Sequence, residues 1–452
     1  MNRQMKARSS RSPVGKSSAD AAAKCSRMRH STGRWLTAVI FVATALLQDT
    51  GASAESTPQA QRLPPPAARV VDLKAPDGIL LKASYFAAAS TGPGVLLLHQ
   101  GNRQRKVWDD LAGRLASAGI NTLTLDMRGF GESGGTPHDR LTPGQMTRVR
   151  EQTPGDIETA WQYLISQPGV KANVIGVGGA GLDGVRNSVE TARRHPAQVK
   201  SLVLLSGQTD LAGRQFLRQA SRLPGLFVVA DDDEYPPTVE VMEWAYSIAA
   251  SPGKKLIHYV GQKPPWNGYE DRDDVPGAEG HGTDLFNVHP GLPDAIVDWY
   301  VTTLIKTPAR APVDNSSAAG VPSAAILNQI EAPGGASQVW EQLAEARRTD
   351  PKTQWFPEED VTIMGYEHLR AGETKLAVEI MKLGVVAYPE SADASDSLSD
   401  AYLADRQIDR ARKSAERALS LLASDTTDSE ARRTVIRDSA QQKLKQLGGS
   451  AP

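Results

Sequence analysis

Between residues 94 and 260 the chain alternates short apolar runs with longer helical patterns. The runs are Gly94–His99, Asn121–Asp126, Val174–Gly178, Ser201–Leu205 and Leu226–Ala230. The helical patterns between and after them are Val107–Ala118, Gly155–Ser166, Val185–His195, Gly213–Arg222 and Val239–Ala250. Strands that alternate with helices build βαβ units, and βαβ units build a parallel sheet. Lys255–Val260 adds a further strand and Leu292–Ile305 a closing helix. Ahead of the alternation, Arg69–Leu73 and Ile79–Phe86 mix apolar and polar residues around a Pro-Asp-Gly turn, the pattern of an antiparallel hairpin. These elements delimit an α/β domain at 69–308.

The chain has 452 residues, enough for two or three domains. Its charge is nearly balanced, 51 basic against 52 acidic residues, but not evenly spread. Residues 1–54 hold nine Lys/Arg and two acids, which leaves 42 basic against 50 acidic residues, a net of −8, in the remainder. That balance argues against nucleic acid or an anionic membrane as partner. Trp35–Leu47 is a 13-residue apolar run behind a basic segment, and Ala52-Ser53-Ala54 follows as an A-x-A site. The order predicts a secretory signal over 1–54, cut after Ala54. The run is shorter than the ~20 residues of a span, so no stable membrane span is expected after cleavage. Met28 is an alternative start. The single cysteine, Cys25, lies in the removed part, so the exported chain, periplasmic or secreted, is expected to contain no disulfide or thiol nucleophile.

Residues 55–68 and 309–322 read as Pro/Ala-rich linkers. Beyond the second, 323–448 reads as wholly helical. Gly365, Gly372 and Ala377 align with Ser399, Arg406 and Ala411 at a spacing of 34, and Leu369 falls on Leu403. The period, with small residues where two helices cross, resembles the tetratricopeptide repeat. The resemblance implies a helical surface able to take a protein or peptide partner. Residues 429–447 are expected to cap it.

Four landmarks carry a second resemblance. His99-Gln100-Gly101-Asn102 follows the first strand of the alternation. Asp126-Met127-Arg128-Gly129-Phe130-Gly131-Glu132-Ser133-Gly134-Gly135 follows the next. Asp231-Asp232-Asp233-Glu234 follows Leu226–Ala230, and Gly280-His281-Gly282 precedes the last helix. In this order they resemble the α/β-hydrolase superfamily, nearest its dienelactone-hydrolase and serine-aminopeptidase-like members, over about half the chain. The resemblance implies a doubly wound, mostly parallel sheet. It also implies His281 as general base, Asp233 (runner-up Asp232) as the acid that orients it, and an oxyanion hole from Gln100, Gly101, Asn102 and Leu182. His99 reads as structural and Ser133 as a loop residue. No Walker A, dinucleotide fingerprint or His-rich metal motif accompanies them, so no cofactor or metal is expected.

The superfamily's nucleophile belongs in Asn173–Gly184, NVIGVGGAGLDG, on a strand-to-helix turn of the G-x-S-x-G type. The turn is present and the serine is not. The spacing places the nucleophile position at Leu182 or Gly181, and neither side chain attacks a carbonyl. Three readings stay open. The pocket is kept for binding alone; Asp183 is the nucleophile, by resemblance to the G-x-D-x turn of epoxide hydrolases and haloalkane dehalogenases; or a serine such as Ser188 is supplied from the helix beyond. The expected function is therefore that of an exported protein descended from ester or amide hydrolases, with weak or no serine-hydrolase activity. It would hold a small ester or carboxylate in the pocket, or serve as a non-catalytic scaffold. Lys263–Glu279, with a Trp, a Tyr and five acids, is a candidate lid over that pocket.

Overall fold

The computed structural model describes residues 67–235, 237–262, 280–306, 322–424 and 430–448. The signal, most of both linkers and the candidate lid lie outside the described residues.

Eight strands form one sheet: β1 (Arg69–Lys74), β2 (Leu80–Phe86), β3 (Gly92–Leu98), β4 (Asn121–Leu125), β5 (Val170–Ala180), β6 (Val199–Leu205), β7 (Gly225–Ala230) and β8 (Lys254–Tyr259). Their spatial order is β1-β2-β4-β3-β5-β6-β7-β8. The pairs β1–β2 and β2–β4 are antiparallel and the remaining neighbours are parallel. This is the doubly wound, mostly parallel sheet of the α/β-hydrolase fold.

The alternation within each apolar run explains the layers. Leu96 and Leu98 of β3 pack on one face with Trp161, Val185 and Met242. Val95 and Leu97 pack on the other with Trp108, Leu292 and Tyr300. The first face is covered by α2 (Pro143–Ser166), α3 (Gly181–Arg194), α4 (Leu211–Gln219) and α5 (Pro237–Ile248), numbered after α1 (Asp109–Ser117). The second is covered by α1 and, after a short α6 (Leu285–Val288), by α7 (Leu292–Tyr300). Each fully buried Leu or Val contributes about 1.5–3 kcal/mol relative to exposure.

The glycines of β5 are packing residues. A Cβ on Gly176 would stand 2.6 Å from Tyr300 Cε1, and one on Gly179 would stand 2.0 Å from Gly184 O. They let α7 and α3 approach the sheet closely. Several element bounds differ from expectation, among them β5, which runs Val170–Ala180 rather than Val174–Gly178, and the closing helix, which is α-helical only over Leu292–Tyr300. The second helix begins at Pro143 rather than Gly155, started by a Thr142–Gln145 capping box. The elbow helix begins at Gly181 rather than Val185.

The C-terminal region is helical: α8 (Pro322–Glu331), α9 (Gly335–Thr349), α10 (Glu358–Arg370), α11 (Thr374–Ala387), α12 (Ala392–Ala404), α13 (Ile408–Leu422) and α14 (Glu430–Gln446). The starts of α10 and α12 are 34 residues apart, as are those of α11 and α13. The turn residues Gly372 and Arg406 share a positive φ, 79° and 61°. This region is packed on the α/β domain. Trp244 of α5 joins Ala324, Leu327, Ile330 and Val361 in one apolar cluster. Arg214 of α4, 3% exposed, bonds Glu331 at 2.9 Å and Glu367 at 2.7 Å, and its guanidinium lies 4.5 Å above the Trp244 ring. Among the described residues no helix is long and apolar enough to cross a membrane.

Candidate active site

The sheet reverses its winding around β3, which lies between β4 and β5. In such sheets the loops at the carboxyl ends part at that point and leave a crevice. The loops after β3, β5, β6 and β7, with His281 ahead of α6, supply the residues gathered there.

Of the two positions the spacing allowed for the nucleophile, the structure puts Gly181 at the apex. Its φ is +62°, the left-handed region where glycine is least strained. A Cβ at Gly181 would stand 3.2 Å from His281 Nε2, so a side chain at this position would face the imidazole. The same Cβ would stand 2.5 Å from Gln100 Cβ and 3.3 Å from Gln100 Cα. Gln100 thus occupies space a side chain at the apex needs. Leu182, the next residue, is exposed and lines the cavity.

His281 is 7% exposed and its Nδ1 lies 2.9 Å from Asp233 Oδ1. Asp233 is fully buried and also accepts from the Tyr235 N–H at 2.8 Å. With Nδ1–H donated to the carboxylate, Nε2 is the nitrogen turned to Gly181. Burial disfavours the imidazolium. The Asp233 carboxylate and its hydrogen bond, with Glu234 and Asp284 nearby, outweigh that and raise the His281 pKa above the ordinary histidine value.

The acidic run divides its duties. Asp231 accepts from His258 at 2.8 Å and from the Gly261 N–H at 3.1 Å, which ties it to β8. Asp232 lies against Gly280: its carbonyl accepts the Gly280 N–H at 3.2 Å, and its Oδ1 is 2.3 Å from where a Gly280 Cβ would stand. Asp233, the acid expected from spacing, meets the histidine.

Gly101, Asn102 and Leu182 line one cavity of about 240 Å³ with His281. Gln100 lies behind it, 1% exposed. Its Oε1 accepts from the Thr283 N–H at 3.0 Å and hydroxyl at 2.9 Å, and its Nε2 donates to His281 O at 3.3 Å. Gln100 therefore anchors the loop that carries His281. Asp183 lies in the first turn of α3 and lines the cavity; its Oδ2 is 3.2 Å from where a Gly101 Cβ would stand. Ser188 is fully buried, with Oγ 2.5 Å from the position of a Gly179 Cβ, so it faces the sheet.

His99 is fully buried. Its Nε2 accepts the Met127 N–H at 3.0 Å, so Nδ1 carries the proton and donates to Gln100 O at 2.7 Å. Ser133 donates to Asp126 O at 2.6 Å and accepts from Lys82 N–H at 2.8 Å, as a loop residue should. Asp126 pairs with buried Arg105.

Sequence reasoning missed further contributors, among them Gly207, Tyr235 and a wall from α10. Gly207, after β6, would carry a Cβ 2.3 Å from Gly181 O, so its bareness lets that loop reach the elbow. The Tyr235 ring lies edge-on to His281 at 4.8 Å. Glu359, Asp360 and Ile363 of α10 complete the cavity wall. No spacing rule links residues so far apart in the chain.

No family model matches the chain. The thiohydrolase aneE of Aspergillus aculeatus is 28% identical over 109 residues, 24% of this chain and 32% of that protein. The chain thus spans about a third of the length of the curated relative it matches. Similar solved structures include the DcsB complex with its substrate analogue, 17% identical with a TM-score of 0.41, covering 53% of this chain and 100% of that one. A dienelactone hydrolase from Anabaena variabilis is 19% identical with a TM-score of 0.38, covering 53% and 99%. The dienelactone hydrolase-like promiscuous phosphotriesterase P91, from metagenomic libraries, is 17% identical with a TM-score of 0.39, covering 51% and 98%.

Proposed function

We propose that this chain is an exported hydrolase-fold protein that keeps the pocket and the acid–base pair of an ester or amide hydrolase without its nucleophile. It binds a small ester or carboxylate and has weak or no serine-hydrolase turnover. The observation that supports this reading is Gly181. The elbow's left-handed turn is intact and His281 Nε2 faces it, yet the residue there has no side chain. Acyl-enzyme chemistry needs an attacking oxygen within hydrogen-bond reach of the base. The match to a thiohydrolase adds thioesters to the ligands to be tried.

A fluorophosphonate probe tests the reading. The intact protein should not be labelled, while short acyl esters should bind without turnover. Stoichiometric labelling of any serine at the cavity overturns it.

A second reading keeps Asp183 as nucleophile, since it lines the cavity two residues past the apex. Asp183→Asn would then abolish turnover of epoxides or haloalkanes, because a neutral amide is a far weaker nucleophile. The scaffold reading draws on the 34-residue register of α10–α13, which suits tetratricopeptide-like repeats and a peptide partner on their surface.

A further inference from the structure

In a G-x-S-x-G elbow a hydroxyl stands between the base and the bound carbonyl. Gly181 supplies none. A Cβ there would stand 3.2 Å from His281 Nε2 but only 2.5 Å from Gln100 Cβ. Non-bonded heavy atoms settle at roughly 3.5–4.0 Å, so Gln100 denies that point to a water as well as to a side chain. Nδ1 of His281 is taken by Asp233 at 2.9 Å. Nε2 is therefore left as a proton acceptor on a cavity of about 240 Å³, facing whatever the cavity holds. The Leu182 N–H belongs to the first turn of α3, where N–H groups have no acceptor within the helix. Leu182 lines the same cavity, as do Gly101 and Asn102. Backbone N–H groups so placed stabilise negative charge on a carbonyl oxygen, whether it comes from attack at the carbonyl carbon or from loss of a proton beside it.

We propose that the Asp233–His281 pair exchanges the α-hydrogen of a bound ester or thioester, so that the pocket acts on its ligand by proton transfer at carbon without cleaving it. This rests on the reading above that the pocket holds an ester and has no nucleophile. The two reactions of a carbonyl share one direction. Attack comes perpendicular to the carbonyl plane, and an α C–H bond breaks into an enolate only when it too stands perpendicular to that plane. A base placed to serve the first therefore lies on the face that serves the second. The ligand alone balances the step. The α C–H bond breaks and its proton goes to Nε2. The bond's electron pair forms the C=C of an enolate, and the carbonyl π pair moves to oxygen, toward the backbone N–H groups. Return of a proton from Nε2 to the α-carbon restores the ester. Leu182 is exposed beside the cavity, so the imidazolium can trade its proton with water before that return. His281 is the catalytic residue. Asp233 is a positioning residue that holds the tautomer with Nε2 bare. Burial opposes charge on His281, and the Asp233 carboxylate outweighs it and raises the pKa, which suits a base for a weak carbon acid. Thioesters, whose α-hydrogens are more acidic than those of oxygen esters, should exchange faster.

Deuterium uptake tests the proposal. The full chain is incubated in D2O with S-ethyl butanethioate or methyl butanoate, and loss of the α-hydrogen signal is followed by proton NMR. Thiol release is read in the same samples, and calorimetry reports binding. The expected result is exchange about 100-fold or more faster than with His281→Gln, without thiol release. In the unaltered protein the rate above buffer should rise with pH and level off, with a midpoint above ~6.5, because only neutral His281 accepts a proton. Asp233→Asn should slow exchange and move that midpoint down, which a merely structural role would not do. Binding without exchange overturns the proposal and leaves the pocket reading standing. Exchange that His281→Gln does not slow also overturns it, as does a rate that climbs with pH and never levels off. Thiol release that outpaces exchange, or binding of neither ester, defeats the pocket reading and this proposal with it. The pH profile and the thiol assay need no variant, so they decide the matter even if neither variant folds.

Discussion

Placing a hydroxyl at the elbow is the most direct probe of the proposal that the nucleophile is missing there. In Gly181→Ser the new Cβ would stand 3.2 Å from His281 Nε2, which puts the hydroxyl within reach of the base. Two costs oppose it. A non-glycine residue held at φ +62° costs about 1–3 kcal/mol. The 2.5 Å approach to Gln100 Cβ must be relieved by movement of a buried side chain with three hydrogen bonds, and such overpacking costs a further ~1–3 kcal/mol. Their sum, about 2–6 kcal/mol, compares with a typical total stability of roughly 5–15 kcal/mol. At about 2–4 °C per kcal/mol, the melting temperature should fall by roughly 5–20 °C. Labelling by fluorophosphonate should appear but be slow. Adding Gln100→Gly removes the Cβ in the way, and relief of ~1.4 kcal/mol or more should speed labelling about tenfold. His281→Ala in that background should abolish it. The reasoning is refuted if Gly181→Ser labels rapidly at unchanged stability, since Gln100 would then not obstruct the apex. It is equally refuted if Gly181→Ser folds and never labels, since His281 would then not face the apex; the paired variant speaks only to the obstruction, because Gln100→Gly also removes the hydrogen bonds that hold the His281 loop.

Arg214→Met should destabilise the full chain by about 3–5 kcal/mol in urea titration, because buried Glu367 would lose its arginine and Glu331 would keep Arg218 alone of its two arginines; a change below ~1 kcal/mol counts against a buried docking pair. The raised pKa of His281 means that its contribution to stability is complete below its unfolded value of about 6.5 and fades as pH rises through the folded value. The stability difference between the unaltered protein and His281→Gln should accordingly shrink from pH ~6 to pH ~9, and a difference that grows over that range has the wrong sign. The exported protein should begin at Glu55 by intact mass; retention of residues 35–47 would reject cleavage after Ala54.

The sheet was legible because short apolar runs such as GVLLLH alternate with longer helical patterns, and that alternation suits a parallel sheet buried on both faces. Asp233 was legible only through the family resemblance, which left Asp232 as runner-up, because the neighbouring aspartates look alike in sequence and only the fold brings one of them to His281. The early start of α2 was hidden by its polar first half, since Thr142–Pro154 has no apolar stripe to reveal a helix. The docking of the C-terminal region was hidden for a different reason. Arg214, Glu331 and Glu367 read individually as solvated surface charges, and only the fold brings them into one buried cluster. Asp360 was masked in the same way, as one more acid at a helix start. The apex itself was half-legible: the glycines announced a tight turn, while the choice between Gly181 and Leu182 needed the backbone.

The placement of α10 has a thermodynamic consequence. This helix packs through Val361 and Met364 in the cluster that holds Trp244, and its Glu359, Asp360 and Ile363 line the cavity. One rigid element thus touches both the small-molecule space and the helical array. Any partner that draws α10 outward must weaken what the cavity holds, and by reciprocity an occupied cavity must weaken that partner by the same factor. On the binding reading proposed above, the pocket can in this way report the presence of a small molecule without cleaving it, with the message written in the docking of its own C-terminal helices.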